Sequence, residues 1–269
     1  MMIQSMAFSV SAVLSLALPA VYFIKEPKGQ AGTFWSLLAV AVAGSLSWTL
    51  AQLSGEWRTS LSLAIWVTIS ASVISFVITC AISSLAWRIT PLLMPYLALM
   101  GLWAMLWQAF PGHVIQHNEE AINNWIMFHI AISVFTYALA TIAAVAALSS
   151  FLVERALKKK RPTKLTRMLP SVVDSENLLV RLLIACEVIL GLGVLSGMGV
   201  SMMETGNLLP ADHKTLFSLA AFAAIAILLW LTFKSGVRGK QATRLVLLAY
   251  LLLSLGFLGV RFVTDVMMA

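Results

Sequence analysis

His129, Ser133 and Tyr137 stand four residues apart in an otherwise apolar run, Asn124-Trp125-Ile126-Met127-Phe128-His129-Ile130-Ala131-Ile132-Ser133-Val134-Phe135-Thr136-Tyr137-Ala138. In a helix, positions i, i+4 and i+8 share one face. A polar stripe on so apolar a helix needs partners, because unpaired polar groups in hydrocarbon are costly. A neutral imidazole is a common ligand for iron and other transition metals. Ser133 and Tyr137 read either as packing hydrogen-bond groups or as supports for whatever the imidazole holds. A second constellation precedes the run. His113, His117 and Glu120 are spaced i, i+4, i+7, a pattern that could hold a divalent metal if the segment after Pro111-Gly112 is helical.

The rest of the chain must position these groups, and its composition says where. Of 269 residues, 60% are hydrophobic and 11% charged, and the mean hydropathy is +0.93. A soluble domain carries roughly 25% charged residues. The chain therefore reads as an all-α, polytopic membrane bundle, with the lipid bilayer as a partner. Cys80 and Cys186 lie in apolar stretches and form no CxxC, which gives no support to thiol–disulfide chemistry. The first apolar run has no basic n-region before it and reads as a retained helix.

Eight stretches are long enough to span, at about 20 apolar residues each. They are expected at 6–24, 34–53, 61–82, 91–110, 125–152, 178–203, 215–233 and 245–263, as one membrane domain without an internal repeat. A basic loop, 155–177, follows the fifth and is the longest polar stretch in the sequence. The sixth span carries Gly191, Gly193, Gly197 and Gly199, and its Gly193/Gly197 pair is a GxxxG spacing that lets another helix approach closely.

If the spans alternate direction, 15 of the 18 basic residues fall on one side. Only Arg58, Lys214 and Arg261 fall on the other. The positive-inside rule then places both termini outside, and it explains the net charge of +7 without nucleic acid. His113, His117, His129 and His213 all come to lie on or near the outer face.

Two histidines on that face could ligate a haem iron axially; if His129 is one, the second ligand could be His117, His213 or nothing. The macrocycle would need an aromatic-lined slot between helices, for which Trp103, Trp107, Trp125, Phe128, Phe217 and Phe257 are candidates. Its propionates would need cations. Arginine pairs with carboxylates bidentately, which favours Arg261 and Arg58 over Lys214. Glu187, inside the sixth span, is an ionisable group at membrane depth with no partner evident in the sequence.

The run Phe128–Ala138, the order of spans and the closing Leu258-Gly259-Val260-Arg261-Phe262 resemble the cytochrome c assembly family of membrane proteins, and most closely its YpjD/HemX-like branch. The resemblance covers most of the chain and is strongest from about Gly112 onward. It implies an external haem ligand at His129, and His117 matches a histidine in the preceding loop of that branch. The chain also departs from the CcsA and CcmC pattern. Their tryptophan-rich loop before the seventh helix is here Met203–Lys214, without tryptophan. No histidine follows Arg261, and Thr232 and Lys234 stand where another would be expected. The resemblance thus implies haem contact without the full apparatus for delivering haem to an apocytochrome.

The expected function is a haem-binding membrane protein, with a non-covalent b-type haem, acting in haem handling, cytochrome c biogenesis or the regulation of haem metabolism. Other assembly or haem-metabolism proteins are the expected partners. With no nucleophile-and-base pair and no phosphate loop, no enzymatic activity is expected. The rivals are a permease-like subunit, for which the spans hold too few polar groups, and a scaffold that contacts a membrane complex through 155–177.

Overall fold

The computed structural model describes residues 2–25, 32–53, 60–108, 124–208 and 212–263. Arg58, His113, His117, Glu119 and Glu120 lie outside the described residues. Within them the chain is helical: α1 (Met2–Lys25), α2 (Gly32–Leu53), α3 (Leu61–Ile82), α4 (Thr90–Trp107), α5 (Asn124–Lys158), α6 (Lys164–Met168), α7 (Val172–Thr205), α8 (His213–Ser235) and α9 (Lys240–Ser254). A 3-10 turn, Ala86–Ile89, leads into α4. Beyond α9 the helix continues through a π-turn, Leu255–Gly259, to a last turn, α10 (Val260–Phe262). Eight helical stretches among the described residues are long and apolar enough to cross a membrane. Helices suit that setting because their backbone groups are satisfied within the segment. Side-chain hydroxyls follow the same logic. Ser15, Ser45, Thr49, Thr68 and Thr79 each donate to a carbonyl three or four residues back.

The chain folds as two groups of helices. α1 packs on α2 and α4, and α3 packs on α2 and α4. α5 makes its largest contact with α7 and also meets α9, while α8 packs on both α7 and α9. The groups join mainly where α3 meets α5, and these are the most enclosed helices of the molecule. The core there holds Trp66, Phe76, Ile65, Ile69 and Ile142, all fully buried.

Segment 155–177, expected as a loop, is largely helical. α5 runs on to Lys158, α6 occupies five residues, and α7 already begins at Val172. Lysine and arginine are good helix formers, and positive charge near a helix C-terminus complements its dipole. Thr163 and Thr166 cap α6 reciprocally, and Ser171 caps α7 by accepting from the Asp174 N–H.

Among the described cations, Lys214 and Arg261 sit at the end of the bundle where α5 and α8 start. The others sit at the opposite, basic end, where α7 and α9 start. There Glu176 accepts from the Gly239 N–H at 3.0 Å and tethers α7 to the turn that enters α9. Glu154 pairs with Lys158 one turn along α5.

Candidate functional site

At the end where α5 and α8 start, the helices enclose a cavity of about 480 Å³. That volume lies in the range of cofactor and small-molecule sites, about 300–1,000 Å³. His129, Ser133 and Tyr137 all line it, so the sequence stripe is a wall of one space. α7 supplies Gly193, Gly197 and Met198 opposite; α3 contributes Leu63, Ala64 and Val67. Arg261 and Lys214 line it as well, together with Asp212 and Thr215.

His129 is held by α7. The Ser196 hydroxyl donates to the Gly193 carbonyl at 3.0 Å, so it accepts from His129 Nδ1–H at 2.9 Å. The network thereby assigns the proton to Nδ1 and leaves Nε2 with a lone pair, the state in which imidazole binds a metal. A partner on the second ring nitrogen is the usual means of orienting a metal-binding histidine.

The glycines of α7 make this contact fit. A Cβ at Gly197 would meet His129 Cε1 at 3.0 Å, and one at Gly193 would meet the Ile132 side chain at 3.2 Å. A Cβ at Gly199 would meet Trp125 Nε1 at 2.7 Å. The GxxxG pair thus receives side chains of α5, and α5 is the helix it lets close. Trp125 is a strut here: its indole N–H donates to the Ser196 carbonyl at 3.0 Å, and the residue stands outside the cavity lining.

Ser133 and Tyr137 are engaged away from the imidazole. Ser133 donates to the His129 carbonyl at 2.8 Å. Below the cavity, Tyr137, Tyr250 and Tyr96 form a hydrogen-bonded chain from α5 through α9 to α4. Its polarity follows from its end. The Ser254 hydroxyl donates to the Tyr250 carbonyl at 2.8 Å, so it accepts from Tyr137 at 3.1 Å. Tyr137 then accepts from Tyr250 at 3.1 Å, and Tyr250 accepts from Tyr96. The phenols are mutually satisfied and fix the floor of the cavity. The Phe257 ring stacks on Tyr137 with centroids 5.7 Å apart.

At the mouth, Asp212 caps α8 by accepting from the Thr215 N–H at 2.7 Å. Burial opposes its ionisation, but the Thr215 hydroxyl and N–H and the charges of Lys214 and His213 outweigh this. The carboxyl is held below its ordinary range. α7 ends just before, at Gly206, whose φ of 72° is the left-handed conformation that glycine adopts at low cost.

The other expected residues are placed as follows. His213 is the exposed first residue of α8 and stands outside the lining, so among the described residues His129 is the one histidine in the cavity wall. Of the aromatic candidates, Phe257 lines the cavity. Phe217 packs behind it against Gly256, Trp107 meets Phe262 edge-on, Trp103 joins the core and Phe128 is exposed. Glu187 lies off the cavity, half-buried on α7, and its carboxylate oxygens have no hydrogen-bond partner among the described residues. Both cysteines are buried. Sequence reasoning missed Ser196 and the tyrosine chain. Ser196 lies three residues from Gly193 on the glycine face, a periodicity that could have flagged it.

The sequence profile described as "Cytochrome C assembly protein" matches residues 30–268. The chain belongs to the cytochrome c assembly protein family. The match takes in every helix that builds the cavity, and it carries a haem-related membrane role in cytochrome c biogenesis. The chain is also 47% identical over 272 residues to an "Uncharacterized 28.8 kDa protein in nifR3-like 5'region" of Azospirillum brasilense, covering 99% of this chain and 100% of that one. No solved structure matches the chain.

Proposed function

We propose that this family member binds one haem in the cavity, from the non-cytoplasmic side of the inner membrane, with His129 Nε2 as axial ligand. The observation that carries this reading is the Ser196-oriented imidazole in the wall of a cofactor-sized space. The donor set fits the group. One neutral imidazole faces a largely apolar enclosure, and two cations stand at its mouth. Arg261 and Lys214 would pair with propionates there; arginine, with its planar fork, would make the bidentate contact. Phe257 and Leu253 from the last span, with Leu63 and Val67 from α3, would bury the apolar ring and exclude water. Bound iron would supply a redox-active centre whose remaining coordination site is set by the pocket around it.

A second residue to hold the iron would be His117, which lies outside the described residues, or His213, which stands outside the cavity lining, or there would be none. Trp125 would act indirectly, by holding α5 against α7 beside His129, and Arg58 is a further candidate cation for a propionate. The haem would be b-type and non-covalent, and the protein would hand it between assembly or haem-metabolism partners, or sense it, without bond chemistry of its own. The positive-inside rule supports the orientation, since the described cations other than Lys214 and Arg261 gather at the end opposite the cavity.

The test is titration of the purified, detergent-solubilised protein with ferric protoporphyrin IX. Saturable binding near one equivalent with a Soret band is expected, and the band should be lost in His129→Ala. A protein that takes up no haem under these conditions would sink the reading.

A further inference from the structure

Among the described residues, positive φ occurs at Gly206, Gly236 and Gly239 and at one residue that is not glycine, Lys160, with φ 50°. Lys160 closes α5. Its N–H bonds to the Leu157 carbonyl at 3.0 Å, and the Arg161 N–H bonds to the Ala156 carbonyl at 3.2 Å, the pattern that ends a helix on a left-handed residue. Glycine usually takes that place because it has no Cβ to clash. The turn between α8 and α9, at the same end of the bundle, follows the rule with Gly236 and Gly239. Between α5 and α6 the chain instead keeps a charged side chain against the preference of its backbone.

Lys160 stands in a run of exposed cations, Lys158, Lys159, Lys160, Arg161, Lys164 and Arg167. Lys158 pairs with Glu154, and the other five make no ion pair among the described residues. The reciprocal Thr163/Thr166 cap orders α6 within the run, so these charges ride on fixed backbone. Leu157, 65% exposed, and Val173, 59% exposed, flank the run with apolar surface.

The level of the membrane can be read from the neighbouring helices. On the exposed side of α7, Arg181 is followed by Ile184, Val188, Leu192 and Leu195, which sets the hydrocarbon boundary near Arg181. On α8, Trp230 and Phe233 are exposed, and Lys234 Nζ lies 4.7 Å from the Trp230 ring centroid, an aromatic and a cation paired as at a bilayer interface. Val172, where the chain enters α7, stands nine residues before Arg181. At 1.5 Å per residue the start of α7 is about 14 Å beyond the boundary. Lipid headgroups fill roughly 5–8 Å of that distance, and the field of a charged surface reaches about 8 Å further at physiological ionic strength. The run therefore lies within reach of the headgroups around it.

We propose that the run from Lys158 to Arg167 docks on anionic phospholipid headgroups of the leaflet at the basic end, and that Lys160 holds its left-handed position for the sake of its charge. Cations interspersed with exposed Leu157 and Val173 match a surface that offers both negative charge and acyl chains. The docking is independent of what the cavity holds.

The experiment releases the full-length protein from micelles holding equal phosphatidylglycerol and phosphatidylcholine and counts the retained lipids by native mass spectrometry. Wild type should retain phosphatidylglycerol in preference. One cation near an anionic surface contributes about fivefold, so Lys160→Gly should lower the preference by about that factor. The same variant should melt at the wild-type temperature or above it, because glycine suits the backbone there. Replacing Lys158, Lys159, Lys160 and Arg161 together by glutamine should remove most of the preference. Equal retention of the two lipids by wild type, or a fourfold variant that keeps the wild-type ratio, would overturn the proposal. A lowered melting temperature in Lys160→Gly would show that the side chain serves the fold and would overturn its assigned role. Displacement of phosphatidylglycerol by inorganic phosphate would make the run a free-anion site, and its displacement by a polyglutamate peptide would make it a protein-docking site; either result would overturn the lipid assignment.

Discussion

The two helix groups are built from similar residues, yet the core of one is closed, while the other opens, against α3, around a cavity. Glycine shows the difference best. In α1–α4, Gly44 takes the Ser15 side chain against it, and a Cβ at Gly101 would meet Val13 at 3.1 Å and the Trp66 ring at 3.3 Å. Those glycines let neighbouring helices close over a core. In α5–α10, Gly193, Gly197 and Gly199 receive Ile132, His129 and Trp125, which stand along one edge of α5. Here the contact pins a polar ring at the wall of an open space. Small residues at helix interfaces permit close approach in either case; whether a core or a site results depends on what the facing helix presents.

The largest effect should come from breaking the closed group. Trp66→Ala removes a fully buried side chain. It should cost about 3–5 kcal/mol of stability, seen as a strongly lowered melting temperature in detergent. Haem affinity per folded molecule should stay nearly unchanged. Next, Ser196→Ala frees the imidazole without touching the core of α1–α4. Haem affinity should fall about 10–100-fold with little change in melting; an equal loss of stability and affinity would mean the two groups are not separable in this way.

Tyr250→Phe acts on the seam, since its hydroxyl links α4 to α5. It should lower stability by about 1–3 kcal/mol, measured by thermal unfolding. The smallest effect should be that of Asp212→Ala at the mouth, about 1 kcal/mol for a lost cap. Because this carboxyl is held below its ordinary range when folded, the cap's contribution is present above that range. It is lost as pH falls through the lowered value, so the difference between Asp212→Ala and wild type should vanish only in strong acid.

Much of this arrangement is written in the sequence at the level of spacing. The apolar stretches mark the helices because about 20 such residues are needed to cross a bilayer, and His129, Ser133 and Tyr137 mark a helix face because 3.6 residues make a turn. The same periodicity is blind to what lies across the interface. That Ser196 faces His129 depends on how α7 rotates against α5, and that Tyr250 reaches both Tyr96 and Tyr137 depends on three helices meeting at one depth. The π-turn at Leu255–Gly259 escapes for a related reason, since a 3.6-residue periodicity does not mark where a helix takes in an extra residue. In the basic segment charge alone says solvated, whereas lysine and arginine prolong α5 to Lys158 through good helix propensity.

The central claim is that the imidazole at position 129 is what holds the iron. The most direct measurement is the absorption spectrum of haem-titrated His129→Gly with and without free imidazole. The account predicts no Soret band from ligated haem without imidazole and its return when imidazole is added to fill the vacated place. A glycine variant that keeps the wild-type spectrum with no imidazole present would contradict it.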